Sequence, residues 1–368
     1  MPVMRGIAAA MLCIAMVAQP GRAPAQQQPS CSAIQLNCIG IPNFEGNTGW
    51  INSAPLTPQD LQGKTVLVDF FEYTCINCLR TLPYLKEWYK RYHRYGFEIV
   101  SVQTPEFGFS GNRANVAAAA KRLGITWPIV IDARNAIWNR YHVDAWPTHF
   151  LFAPNEQLVE RFSGEGAYPD TEHKIQLILK VTQPNLNVPP LMALLPQDSY
   201  DKPGAVCYPR TAESVVGHAQ IADASPMGSR SMSSDYHDPG GHRDGAVYLQ
   251  GYWHMTSDAA VSDAAHGWFA MRYHAIQVMV VMRPVRGDAI RVDVTLDGQP
   301  VPRQFAGTDV KYDASGNSYV NVDAGRAYEI VGYNAPYAAS RELRLSPQSS
   351  GLGIYDVAFE SCQVPGTH

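Results

Sequence analysis

The chain has 368 residues, enough for two domains of ordinary size. Its 46% hydrophobic and 17% charged residues support sizeable packed cores. A formal charge of -4 excludes a general nucleic-acid binder, whose phosphate contacts need a basic face, and points to no other partner.

Residues 1–25 read as an export signal. Arg5 is a short basic start, 6–18 is apolar, and Ala23-Pro24-Ala25 offers a small-x-small cleavage site near Ala25. The apolar run is shorter than the roughly 20 residues that span a bilayer. A retained N-terminal anchor is the alternative. Removing the segment takes Cys13 with it and leaves six of the seven cysteines, an even number that in an exported chain points to disulfides. The next stretch, 26–41, is a lead that carries Cys31 and Cys38, read as a small loop closed by a bridge. A second redox pair is the other reading of those two, without a helix to activate it.

Residues 42–183 read as one α/β domain. The run 65–71, Thr-Val-Leu-Val-Asp-Phe-Phe, shows little alternation, as expected of a central strand covered on both faces. It leads into Cys75-Ile76-Asn77-Cys78, where helical periodicity begins: Cys78, Leu82, Leu85, Tyr89 and Tyr92 form one apolar stripe. A thiol reacts as its thiolate, and the unpaired N–H groups of a helix start favour the thiolate of the first cysteine. Cys75 is therefore the candidate attacking sulfur. Cys78, one turn on, is the candidate resolving sulfur of thiol–disulfide exchange. A structural zinc half-site is the alternative, but the sequence has no second Cys-x-x-Cys or Cys/His pair at ligand spacing.

Pro83 should kink this helix and Gly96 end it. A second strand is expected at 97–102, an Ala-rich helix at 115–123, a strand at 127–132, a helix at 133–141 and a strand at 146–152. A short helix at 56–61 precedes them. Strands alternating with helices up to Lys180 imply a sheet with helices on both faces. The proline-rich stretch 184–206 reads as a linker.

From 207 to 368 the period becomes two. Ile290, Val292, Val294 and Leu296 alternate with polar residues, and Asp297-Gly298 signals a hairpin. Short strands with turn-rich breaks suggest an all-β sandwich of jelly-roll type. Cys207 and Cys362 stand at its two ends and are expected to pair as a structural disulfide. Tyr248, Tyr252, Trp253, Trp268, Phe269 and Tyr273 lie close together; they are read as a sugar-stacking surface, a docking surface or packing. His237, Asp238, His242 and Asp244 share a Gly-rich loop that reads as a solvated turn, with a metal site as the alternative. Neither metal nor cofactor is expected.

The segment 42–180 resembles the thioredoxin superfamily, in its exported branch of TlpA- and ResA-type interchange proteins. The resemblance rests on Val-Asp-Phe before the dithiol, Cys75-x-x-Cys78, Pro83 five residues later, and Tyr-His-Val-Asp-Ala-Trp-Pro147-Thr before a strand. The Tyr-Thr-Cys-Ile-Asn-Cys segment and the β-rich part after it are similar to the exported C-terminal part of DipZ proteins, whose second module resembles carbohydrate-binding domains. The likeness implies that Pro147 is a cis-proline beside the dithiol, the ordinary reading being a trans proline at a strand edge. It implies that Asp69 is a buried acid that takes the proton of Cys78, the alternative being strand-end packing. Trp146, Thr74, Ile76 and Asn77 then line a substrate groove. Glu72, close to the cysteines, has no sign assigned to its effect.

Thr74 stands where thioredoxins carry tryptophan, and Ile76-Asn77 separates the cysteines, so the direction of electron flow stays open. The expected function is disulfide exchange with protein substrates, outside the cytoplasm in a periplasm-type setting, with a separate membrane electron donor or acceptor. A scaffold in which the sandwich binds a glycan or protein partner is the alternative. A peroxidase is disfavoured because no proline precedes Thr74 at the required position.

Overall fold

The computed structural model describes residues 40–198, 201–218 and 232–364, so the expected export signal and the Cys31/Cys38 loop lie outside it. Six strands form the first sheet: β1 (Gly49–Ile51), β2 (Thr65–Phe71), β3 (Phe97–Gln103), β4 (Ile129–Ile131), β5 (Thr148–Phe152) and β6 (Leu158–Ser163). Their spatial order is β1-β4-β3-β2-β5-β6. β2 is central, parallel to β3 and antiparallel to β5, and every one of its residues is buried. Leu67 and Phe71 enter one core, Val66, Val68 and Phe70 the core on the other face, which is why the run shows no polar alternation.

The helices are α1 (Ile76–Tyr92), α2 (Arg113–Leu123), α3 (Ala136–Arg140) and α4 (Tyr168–Thr182). Pro83 lies inside an unbroken α1, its missing N–H leaving the Leu79 carbonyl without that partner. A tighter turn, His93–Tyr95, follows, and left-handed Gly96 closes it. α3 is shorter than the pattern suggests, since Asp132 accepts hydrogen bonds from the N–H groups of Ile137 and Trp138 and so fixes a later start. The expected helix at 56–61 is a single tight turn, Pro58–Leu61.

The C-terminal part is all-β. One layer holds Lys311–Tyr312, Ser318–Val322, Ile290–Leu296, Ala338–Pro347 and Trp268–Ala275; the other holds Ala260–Ser262, Leu352–Glu360, Gln277–Pro284 and Arg326–Val331. The strand Val247–Met255 belongs to both: Val247–Gln250 pairs with the first layer and Trp253–Met255 with the second. It bends at Gly251, whose φ of 87° suits glycine and where an added Cβ would come 3.2 Å from the Gly267 Cα. Phe269, Val292, Leu345, Val280, Ile354 and Trp253 are among the side chains packed between the layers. Cys207 and Cys362 face each other across two short antiparallel strands and form a disulfide, as the sequence suggests.

The proline-rich stretch packs along the helices instead of hanging free. Leu186, Met192, Leu194 and Leu195 lie against the core under α1 and α4. Asp198 accepts a hydrogen bond from Tyr84, Leu195 N–H donates to the Tyr84 oxygen at 2.9 Å, and Arg91 donates to the Pro190 carbonyl.

Candidate active site

The end of β2 and the start of α1 set the dithiol. Cys75 caps α1 from an extended backbone conformation, and the Cys78 N–H donates to its Sγ at 3.5 Å. The Cys75 N–H is held by the Glu72 carbonyl at 3.1 Å. Cys75 is half-buried, whereas Cys78 is buried, its Sγ accepting from the Glu72 N–H at 3.5 Å. Burial above all, with the hydrogen bond and charge of Cys75 and the charge of Asp69, holds the Cys78 thiol well above its ordinary value. One sulfur is therefore presented to solvent and the other is kept as a buried thiol.

Glu72 turns out to be the knot of the approach loops. Its fully buried carboxylate accepts from the Thr74 N–H (2.9 Å) and hydroxyl (3.0 Å), Gln103 Nε2 (2.7 Å), the Glu106 N–H (3.3 Å) and Ser110 Oγ (2.7 Å). Burial pushes this carboxyl up, and the bonds from Ser110, Thr74 and Gln103 pull it back. It ties the turn before Cys75 to the loop after β3.

Asp69, also buried, lies level with Ser101 of β3 and His149 of β5. Its Oδ2 accepts from Ser101 Oγ at 2.7 Å, and that oxygen accepts from Trp127 Nε1 at 2.8 Å. On its other side His149 Nε2 lies 3.1 Å from Oδ1. The Trp146–Pro147 peptide is cis, in keeping with the resemblance. Thr148 pairs with Phe70, so Pro147 comes level with the end of β2, where the chain turns toward Cys75. The Pro147 carbonyl accepts from Gly164 N–H, and Thr148 Oγ1 donates to the Ala145 carbonyl, fixing that loop.

The expected groove residues divide. Thr74 and Ile76 are buried, Thr74 turned inward onto Glu72, while Asn77 and Trp146 keep partial exposure. Trp146 rests against Trp138, ring centres 4.4 Å apart. Asn77 Oδ1 accepts from Arg80 Nη2 at 2.7 Å.

Arg80, which no sequence motif marks, joins the two domains beside the dithiol. It is 8% exposed. Its Nε and Nη2 donate to the two Glu165 oxygens at 2.6 Å each, Nη2 also reaches Glu360 at 3.1 Å, and Nη1 donates to Gln277 at 3.4 Å. Below it, Phe107 and Phe109 pack edge-on against Tyr355 at 5.5 and 4.8 Å, and Arg283 lies over Phe109. The seam also carries acids. Burial, then Glu213 and Glu72, push the Glu106 carboxyl up to about 8, and burial, then Glu213 and Glu106, hold Asp356 well above the ordinary range.

In the sandwich, Tyr248, Trp253, Phe269 and Tyr273 are core residues, Trp268 lies under Arg344, and Tyr252 stays exposed. His242 sits between Asp238 and Glu342, at 2.8 and 2.7 Å, and is stacked on Tyr248; Asp244 instead faces His274, and His237 lies 3.8 Å from Asp235. Among the described residues no three His, Cys, Asp or Glu side chains converge as a metal site. No helix among them is long and apolar enough to cross a membrane.

Residues 40–161 match the family model described as AhpC/TSA family, and residues 211–359 the one described as thioredoxin-like C-terminal domain. Protein DipZ of Mycobacterium tuberculosis is 31% identical over 287 residues, 76% of this chain and 40% of that protein. The chain thus spans well under half the length of that relative. Thiol-disulfide oxidoreductase ResA of Geobacillus kaustophilus is 34% identical over 119 residues, 32% of this chain and 66% of that one. A solved thiol:disulfide interchange protein of Chlorobium tepidum covers 38% of this chain and 96% of its own at 21% identity, with a TM-score of 0.31. With both family models in tandem and the DipZ likeness running through most of its length, the chain belongs to the thioredoxin superfamily, in the TlpA-like branch with ResA and DipZ.

Proposed function

We infer that the chain is an exported thiol–disulfide oxidoreductase acting on protein disulfides or dithiols. The observation that carries this is the asymmetry of the two sulfurs: Cys75 half-exposed at the start of α1, Cys78 buried one turn behind it with its thiol pushed up. The Cys75 thiolate attacks a substrate disulfide; a bond forms to one substrate sulfur and the other leaves as a thiol. Cys78 then loses its proton and attacks Cys75 Sγ, closing Cys75–Cys78 and releasing the second substrate thiol. Two electrons pass from the dithiol to the substrate, and an oxidising poise runs the same steps backwards.

In this reading Asp69 serves as proton acceptor for Cys78, while Pro147, Trp146 and Asn77 border the substrate. The thioredoxin-like domain covers 42–183, the sandwich 207–368, and a separate membrane protein supplies or takes the electrons. An intact Cys75-x-x-Cys78 together with Asp69 and Pro147 weighs against a pure scaffold.

Trapping tests it. In cells exporting the protein, Cys78→Ser should accumulate mixed disulfides with other proteins, and adding Cys75→Ser should abolish them. Equal labelling in both variants, with no reduction of a model disulfide by the intact chain, would overturn the reading. Equilibration with glutathione then fixes the direction.

A further inference from the structure

On the sheet face beneath α1, two buried polar atoms face each other. Asp69 Oδ1 and His149 Nε2 are 3.1 Å apart, off the line of a hydrogen bond, and neither has any other hydrogen-bond partner. The remaining Asp69 oxygen is taken by Ser101, which Trp127 fixes in turn, so the carboxylate cannot swing away. Packing does not require such a pair. Apolar residues of similar size at both positions would usually serve a core as well or better. Its position gives it a use, because the charge of Asp69 is felt at the Cys78 sulfur.

We propose that Asp69 and His149 together form a two-seat store for the proton that Cys78 releases when it resolves a mixed disulfide. This rests on the exchange reading given above. Before the step, Cys75 Sγ is bonded to a substrate sulfur, Cys78 is a thiol, and the pair is a carboxylate beside a neutral imidazole. The Cys78 proton passes to Asp69 and on to His149 Nε2, and the Cys78 sulfur attacks Cys75 Sγ. The Cys75–Cys78 bond forms, the bond from Cys75 to substrate breaks, and the substrate sulfur takes a proton from solvent. An imidazole protonated on Nδ1 alone sets two acceptors face to face. A proton on Nε2 turns the same contact into a charge-assisted hydrogen bond. The pair's charge goes from minus one to zero, and re-reduction of the disulfide returns the proton to Cys78.

Other ionisable groups on this face are already engaged. β6 brings Glu160, two register positions along from the His149–Phe162 pair, which is held by Lys174 and Thr171 of α4. α4 also brings Tyr168, whose hydroxyl contacts Thr81 and whose ring is stacked on Tyr84 of α1. Asp69 from β2 is the ionisable group that His149 meets, and Asp69 in turn bears on Cys78 of α1. His149 is thus a positioning and proton-holding residue acting through Asp69.

The test is a two-phase reaction of the reduced full-length chain with an aromatic disulfide that releases a coloured thiolate. The first release reports attack by Cys75, the second resolution by Cys78. His149→Gln keeps size and polarity but cannot hold the proton; His149→Leu removes both, and the glutamine variant alone decides if the leucine variant fails to fold. The second phase relative to the first is expected to slow by roughly tenfold or more in His149→Gln at neutral pH. One ionisation should also vanish from its pH profile. An unchanged ratio and profile in His149→Gln would overturn the proton store while leaving exchange intact. Absence of any first phase in the unmodified chain would instead overturn the exchange reading itself.

Discussion

Arg80 and Glu165 meet fork to fork, two N–H groups on two carboxylate oxygens at 2.6 Å each, while a third contact carries the same guanidinium across to Glu360 of the sandwich. Replacing Arg80 by Met would leave two poorly solvated carboxylates facing each other. The expected loss is about 3–5 kcal/mol, the cost of an uncompensated buried charge. Arg80→Lys should recover only part of it, because an ammonium cannot serve Glu165 in bidentate fashion and still reach Glu360. Denaturant midpoints of the three proteins check both statements.

The two sulfurs should differ sharply toward alkylating agents. Burial keeps Cys78 protonated far above neutral pH, so of the two dithiol cysteines iodoacetamide at neutral pH should take Cys75 alone, with Cys78 labelled only after unfolding. Peptide mass spectrometry reads this directly; rapid labelling of Cys78 in the folded chain would contradict it.

The acids of the seam give a pH dependence with a definite sign. Glu106, with a folded-state value of about 8, binds a proton more strongly in the folded chain than in the unfolded one, where carboxyls titrate near about 4. Its contribution is fully present below that unfolded value and is lost as pH rises through about 8. Asp356 is shifted the same way. Glu106→Gln fixes the neutral form, so the variant should gain stability relative to the parent as the medium turns from acidic to mildly alkaline. Denaturant titrations across that range measure the difference.

Phe109 stacks on Phe107 and packs edge-on against Tyr73 and Tyr355, with Arg283 over its face. Phe109→Ala should cost about 3–5 kcal/mol, as for other large aromatic truncations in a core. Because the lost contacts bridge the two domains, faster proteolysis between them should accompany the drop in thermal midpoint.

How much of this could be read from the residues depends on distance along the chain. The strand before Cys75, the helix start and the change to period two are local patterns, and all three are visible. The Cys207–Cys362 pair was legible because the two cysteines end one region. His149 was not: its meeting with Asp69 depends on the antiparallel register of β2 and β5, and nothing in Thr-His-Phe-Leu-Phe marks it as more than a histidine in an apolar strand. Arg80 and Glu360 are 280 positions apart and become neighbours only when the sandwich folds back over α1. Glu72 reads in the sequence as a charge near a thiol, but four of its five hydrogen-bond donors come from loops whose paths have no periodicity to follow, and the fifth, Gln103, from the end of β3. The sandwich aromatics read as surface or core alike until burial separates Tyr252 from Trp253.

The aromatic seam makes the two family regions poor candidates for exchange as independent parts. Severing the chain in the proline-rich stretch would uncover Phe107, Phe109 and Tyr73 on one half and Ala259, Val261 and Tyr355 on the other, all from one shared apolar cluster. It would also strand Arg80 and Glu165 at a freshly wetted edge and detach the segment that holds Tyr84. Either half taken alone would carry its side of that cluster as an exposed, adhesive apolar patch.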